Sequence, residues 1–166
     1  VRGASDLRLG LGLAIVIAVA DQALKAWMLD LVFNPPRVIE VTSFFNLAPV
    51  WNRGVSFGFL SGVGDWGPWL LTGVAALVVV FLLRWLTRAE DRFVVVTLGL
   101  VLGGAFGNAI DRLRFGAVVD FLDFHAFGWH FWAFNLADAA ISVGAAGLLL
   151  HSLLADRLSG GQERPK

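Results

Sequence analysis

The sequence predicts a mainly α-helical integral membrane protein: a four-transmembrane-helix bundle with a small β-sheet platform on its outer, extracytoplasmic face. Three observations predict it. Apolar residues make up 57 % of the 166-residue chain and charged residues only 16 %, against roughly 45–50 % and 25 % in soluble domains. Four apolar runs recur along the chain, each close to the roughly 17–25 residues that cross a bilayer. Basic residues gather in alternate connections between those runs, as they do when a chain threads back and forth across a membrane.

The balance of 13 basic and 13 acidic side chains excludes a basic field that would hold nucleic acid. High hydrophobicity excludes a disordered chain. No cysteine is present, so disulfides, thiolate nucleophiles and cysteine zinc sites are excluded. The length fits one domain, 1–158, followed by a loose polar tail, 159–166, with Gly160 and Gly161.

The first helix is expected over about 9–29, interrupted by Asp21, Gln22 and Lys25. Arg2 and Arg8 followed by Ala18-Val19-Ala20 also resemble a cleavable signal peptide. An uncleaved helix is preferred because the apolar pattern continues through Ala23, Leu24, Ala26, Trp27, Met28 and Leu29. Pro35-Pro36 then breaks the chain, and 38–45 (VIEVTSFF) is strand-prone. The second helix, about 66–86, carries no charge before Arg84. Arg84, Arg88 and Arg92 fill the short link to the third helix, about 93–112. That helix carries Gly99, Gly103 and Gly107 at steps of four, plus Gly104. Such spacing lets helix backbones approach closely in lipid, and close packing on the fourth helix, with Ala140, Gly144, Ala145 and Gly147, is expected. The segment 115–131 is strand-like, with Gly116 and Gly128 as turns. The fourth helix, about 136–156, holds His151 within its apolar run. Arg157, Arg164 and Lys166 follow it.

By the positive-inside rule both termini and the Arg84–Arg92 link face the cytoplasm. The longer connections, 30–65 and 111–138, face outward. Lys25, Arg37, Arg53, Arg112 and Arg114 also lie towards that side, so position rather than total count sets the bias. Trp51, Trp66, Trp69, Trp129 and Trp132 fall near the outer helix ends and read as headgroup-level anchors.

This topology brings Asp21, Asp111, Asp120 and Asp138 to one membrane face. Ionisable groups at membrane depth imply function and need partners. Asp21 and Lys25, four apart on a helix, suit an ion pair. Asp111 suits a structural polar network at the end of its helix. Asp120 and Asp138 have no basic neighbour within four positions. Two carboxylates in a partly dry site cannot both ionise easily, and such a pair can run general acid/base chemistry. Spacing alone does not choose among the four acids. No H-E-x-x-H, P-loop or nucleophile elbow occurs; His125 and His130 read as surface polar residues, and Gly103-Gly104-x-x-Gly107 lies inside an apolar helix.

Five segments then stand out together: 21–25 (DQALK), 52–58 (NRGVSFG), 103–112 (GGAFGNAIDR), 118–121 (VVDF) and 134–138 (FNLAD). In order and spacing they resemble the bacterial lipoprotein signal peptidases, or signal peptidase II, along nearly the whole chain. Val55-Ser56 stands where some members carry two alanines. The resemblance implies a membrane aspartic endopeptidase that removes the signal peptide of diacylglyceryl-modified prolipoproteins just before the lipidated cysteine. It implies that Asp120 and Asp138 are the catalytic pair, activating water without an acyl-enzyme. Asn52, Gly54, Asn108, Arg112 and Asn135 would bind or position the substrate and the pair. It implies no metal or organic cofactor. The expected setting is the bacterial cytoplasmic (inner) membrane. The expected partners are lipid-modified prolipoproteins and membrane lipids, with no nucleic acid, and the chain is expected to act as a monomer. The competing function is a small carboxylate-dependent transporter, but such sites usually lie at the bilayer midplane within repeats, and neither feature is read here. A purely structural membrane protein would leave Asp120 unexplained.

Overall fold

A computed structural model describes residues 2–54 and 67–160. Val55 to Gly58 of the second motif, Trp66, the side chain of Trp69 and the tail beyond Gly160 lie outside the described residues. The elements run α1 (Arg2–Leu31), β1 (Ile39–Thr42), β2 (Phe45–Asn52), α2 (Gly67–Leu86), α3 (Arg92–Phe115), β3 (Val118–Ala126), β4 (Trp129–His130) and α4 (Leu136–Gly160).

Three helical stretches among the described residues are long and apolar enough to cross a membrane: Asp6–Leu31, Arg92–Phe115 and Leu136–Leu154. α2 spans Gly67–Leu86, and its apolar stretch among the described residues is Thr72–Leu86. Ile15, Val19, Leu77, Phe81 and Leu149 are all more than 60 % exposed. Apolar side chains turned outward on this scale mark a surface that faces lipid rather than water. The helices overrun their expected ends. α1 starts at Arg2 and α4 continues through Ser159 and Gly160, where the polar tail was expected to begin.

α3 is the buried centre. Its start is capped by Asp91, whose carboxylate accepts the Phe93 N–H at 2.7 Å. Its end is closed by Gly116 at φ 67°, whose N–H reaches Arg112 O. The expected close packing of α3 on α4 is present, and the glycines show that α1 packs on α3 as closely. A Cβ at Gly99 would meet Gly10 O at 2.8 Å and one at Gly103 would meet Ala14 O at 2.7 Å, both on α1. Gly104 abuts Ala137 of α4, and Gly144 of α4 abuts Thr97 O at 2.6 Å. The stripe therefore seats α1, while its neighbour Gly104, rotated by one residue, seats α4. Gly107 lies against both Asp21 and Ala137.

The sheet is antiparallel in the order β1-β2-β3-β4. The strand-prone 38–45 is split by a turn at Ser43-Phe44, and β2 runs on to Asn52. Between Leu47 and Val50 the register shifts by one residue. Pro49 lies in this bulge, where its missing N–H costs no ladder bond. The β3–β4 connection is Phe127-Gly128 with φ of 53° and 80°, the double positive φ that a two-residue hairpin favours. Met28 of α1 and Val32, just past its end, pack with Val119 and Phe121 of β3. The sheet is thereby fixed to the C-terminal end of α1.

Candidate active site

The bulge in β2 decides which side chains meet. Val50 pairs with Asp120 and Asn52 with Val118, so Asn52 lies diagonally from Asp120 on one face. Asn52 Nδ2 donates to Asp120 Oδ2 at 2.8 Å. The N–H of Gly54, at φ 73°, donates to Asn52 Oδ1 at 2.8 Å. That bond commits the oxygen end of the Asn52 amide and leaves its NH2 for Asp120.

On the other edge of β3, Phe134 bridges to Leu122. This brings the entry of α4 beside Asp120. Asn135, fully buried, caps α4: its Oδ1 accepts the Asp138 N–H at 3.0 Å, and Asp138 Oδ2 accepts the Asn135 N–H at 3.3 Å. This is a reciprocal capping box built from Asn and Asp. Asn135 Nδ2 also donates to Asp120 Oδ1 at 2.6 Å. One residue therefore touches both carboxylates. Asn108 Nδ2 adds a 2.7 Å bond to Asp138 Oδ1.

Beneath them lies an ion cluster. Lys25 Nζ is 2.8 Å from Asp21 Oδ2 and 2.8 Å from Asp111 Oδ2, with all three side chains almost fully buried. Its third contact is Asn108 Oδ1 at 2.9 Å. Asp21 Oδ1 accepts the Ala137 N–H at 2.9 Å, and Asp111 Oδ2 accepts the Val119 N–H at 3.0 Å. α1, β3 and α4 are thus tied to α3 through side chains at one level.

A cleft of about 380 Å³ opens over Asp120 and is lined by Val50, Trp51, Asn52, Gly54, Trp132 and Ala133. Burial, and then the charge of Asp138, raise the Asp120 carboxyl to about 7 against the pull of Asn52 and Asn135. A carboxyl that keeps its proton near neutrality can donate to a carbonyl oxygen.

All four acids of the sequence reading fall in this one assembly. Arg112 does not reach either carboxylate of the Asp120–Asp138 pair by a hydrogen bond among the described residues; its Nη1 lies 3.5 Å from Asn108 O. His130 is exposed but engaged, with Nδ1 2.9 Å from Asp123 Oδ1. Among the described residues no cluster of His, Cys, Asp or Glu could hold a metal ion. The sequence reading missed Gln22, which donates to Asp111 Oδ1 at 2.8 Å and to Gly107 O at 3.1 Å. Its position beside Asp21 in the first motif was the available signal.

A family model described as signal peptidase (SPase) II matches residues 13–154. A lipoprotein signal peptidase of Methylobacterium sp. (strain 4-46) is 44 % identical over 160 residues, covering 96 % of this chain and 97 % of that protein. One from Burkholderia vietnamiensis is 47 % identical over 146 residues, covering 86 % of each. A bacterial membrane enzyme solved by the in meso method at 1.9 Å superposes with a TM-score of 0.71 at 27 % identity, covering 87 % of this chain and 92 % of that one.

Proposed function

The chain belongs to the signal peptidase II family, and on that premise we propose that it hydrolyses the signal peptide of lipid-modified prolipoproteins with Asp120 and Asp138 as its catalytic pair. The protein is a membrane-embedded protease. Its cleavage point lies just before the diacylglyceryl-modified cysteine. The observation that carries the assignment of the pair is Asn135, which bonds Asp120 through its amide and Asp138 through its cap.

The ionised member of the pair takes a proton from water. The protonated member donates to the scissile carbonyl oxygen, and water attacks without a covalent intermediate. The pair titrates as a unit, and the raised affinity of Asp120 supports one shared proton near neutral pH. Asn52 and Gly54 border the cleft where the substrate backbone would lie. Asn108 and Asn135 hold the pair, and Arg112 stands one turn along α3 from Asn108 to meet the substrate.

The arginine pattern supports four spans, α2 among them, and both termini in the cytoplasm. The site and sheet then lie at the outer face of the bacterial inner membrane. A substrate lipid anchored in that leaflet brings its cysteine to the depth of Asp120. In this proposal the chain acts as a monomer among membrane lipids.

The test is cleavage of a diacylglyceryl prolipoprotein in detergent by the native enzyme, Asp120→Asn and Asp138→Asn. Native cleavage before the cysteine is expected, with each folded variant slower by about a thousandfold or more. Native rates in either variant would remove that residue from the chemistry. A folded native protein that cleaves nothing would return the chain to the carrier reading.

A further inference from the structure

Lys25 sits one residue behind the pair, out of reach of any substrate, and its three contacts are of two kinds. Two are carboxylates, Asp21 and Asp111. The third is the neutral amide of Asn108. An ammonium has three N–H donors and no acceptor. The Asn108 atom facing it at 2.9 Å must therefore be the carbonyl oxygen, and the atom facing Asp138 at 2.7 Å must be the NH2.

The consequence passes on. Asn108 Oδ1 also accepts from Asn135 Nδ2 at 3.2 Å, which turns the Asn135 NH2 towards Asp120 and leaves its oxygen for the Asp138 N–H. We propose that Lys25 is a positioning residue of the peptidase: its third N–H sets the direction of the Asn108 amide, and through it that of Asn135, so that both carboxylates of the pair face donors. With Asn108 reversed, a carbonyl oxygen would face Asp138, and the ionised form that activates water would be opposed. The charged groups facing this network are Asp21 and Lys25 from α1, Asp111 and Arg112 from α3, Asp120 from β3 and Asp138 from α4. The inference rests on the catalytic pair proposed above.

The test separates the donor from the charge. Removing Lys25 alone would strand two buried carboxylates, so the comparison is made on Asp111→Asn. In that background Lys25→Gln keeps an N–H donor without a charge, and Lys25→Met keeps neither. The Met variant is expected to lose about tenfold or more in kcat with KM little changed. The ascending limb of its pH–rate profile moves to higher pH. The Gln variant recovers a large part of both effects. Equal losses in the two would show that charge, not donor direction, is what matters, and would overturn the inference. Profiles for both that match Asp111→Asn would overturn it too. Should the Met variant fail to fold, the same pair on Asp21→Asn/Asp111→Asn, which leaves no buried charge unpaired, decides between these outcomes. Asp120→Asn and Asp138→Asn run alongside: native rates there would sink the pair itself, whatever the Lys25 series does.

Discussion

Asp120 is a buried carboxyl that carries a proton where an ordinary one would not, and this has a thermodynamic signature. Between 3.8 and about 7 the native carboxyl holds a proton that the unfolded one has released. Folding then takes up a proton, so stability is greatest below this window and falls as pH rises through it. Asp120→Asn cannot ionise. Its melting temperature in detergent is expected to fall less than that of the native protein across the same window. A native curve as flat as the variant's would refute the raised affinity. Much of this site was legible in the sequence. Alternating topology alone put Asp21, Asp111, Asp120 and Asp138 at one level, and the Asp21–Lys25 spacing announced an ion pair. The direction of three amides was not legible. Gly54 and the α4 cap act on Asn52 and Asn135 from nearby in sequence, but the direction of Asn108 depends on Lys25, far away in α1.

At the scale of elements, the close approach of α3 to its neighbours makes small side chains a condition of the site. A Cβ at Gly104 would press on the carbonyl of Ala137, one residue before Asp138. Gly104→Ala is expected to displace the start of α4 and to destabilise by about 1–3 kcal/mol, with loss of cleavage beyond what the change in melting temperature explains. Gly73→Ala, with nothing within 4 Å, is the control and should leave both unchanged. The spacing of Gly99, Gly103 and Gly107 announced a packed face but not its partner. Helical periodicity defines which residues share a stripe, not which neighbour they meet. The expected partner α4 is met through Gly104, Gly107 and Gly144, and α1 takes Gly99, Gly103 and the other side of Gly107. The sheet was legible in part: the strand-prone segments 38–45 and 115–131 cover β1, β3 and β4, but β2 beyond Phe45 fell outside both. The bulge at Pro49 that aims Asn52 was not legible, because it follows from pairing between strands distant in sequence.

At the scale of the molecule, the proposed orientation can be read directly because the chain contains no cysteine. Glu90→Cys, between α2 and α3, and Ala126→Cys, at the end of β3, place one thiol each at exposed positions. An impermeant maleimide added to intact cells is expected to label Ala126→Cys alone, and Glu90→Cys only after the cytoplasmic side is opened. The reverse pattern would invert the topology. The site also has a history in time. The Asp21 carboxylate holds the Ala137 N–H across 116 positions, and the pair of acids is completed only by α4. A ribosome delivers α1 with its acid and its lysine long before their partners on α3 and α4 exist. If the proposed pair is right, the growing chain is an inert guest in the membrane until its last helix arrives, and a product cut short before α4 would be no protease at all.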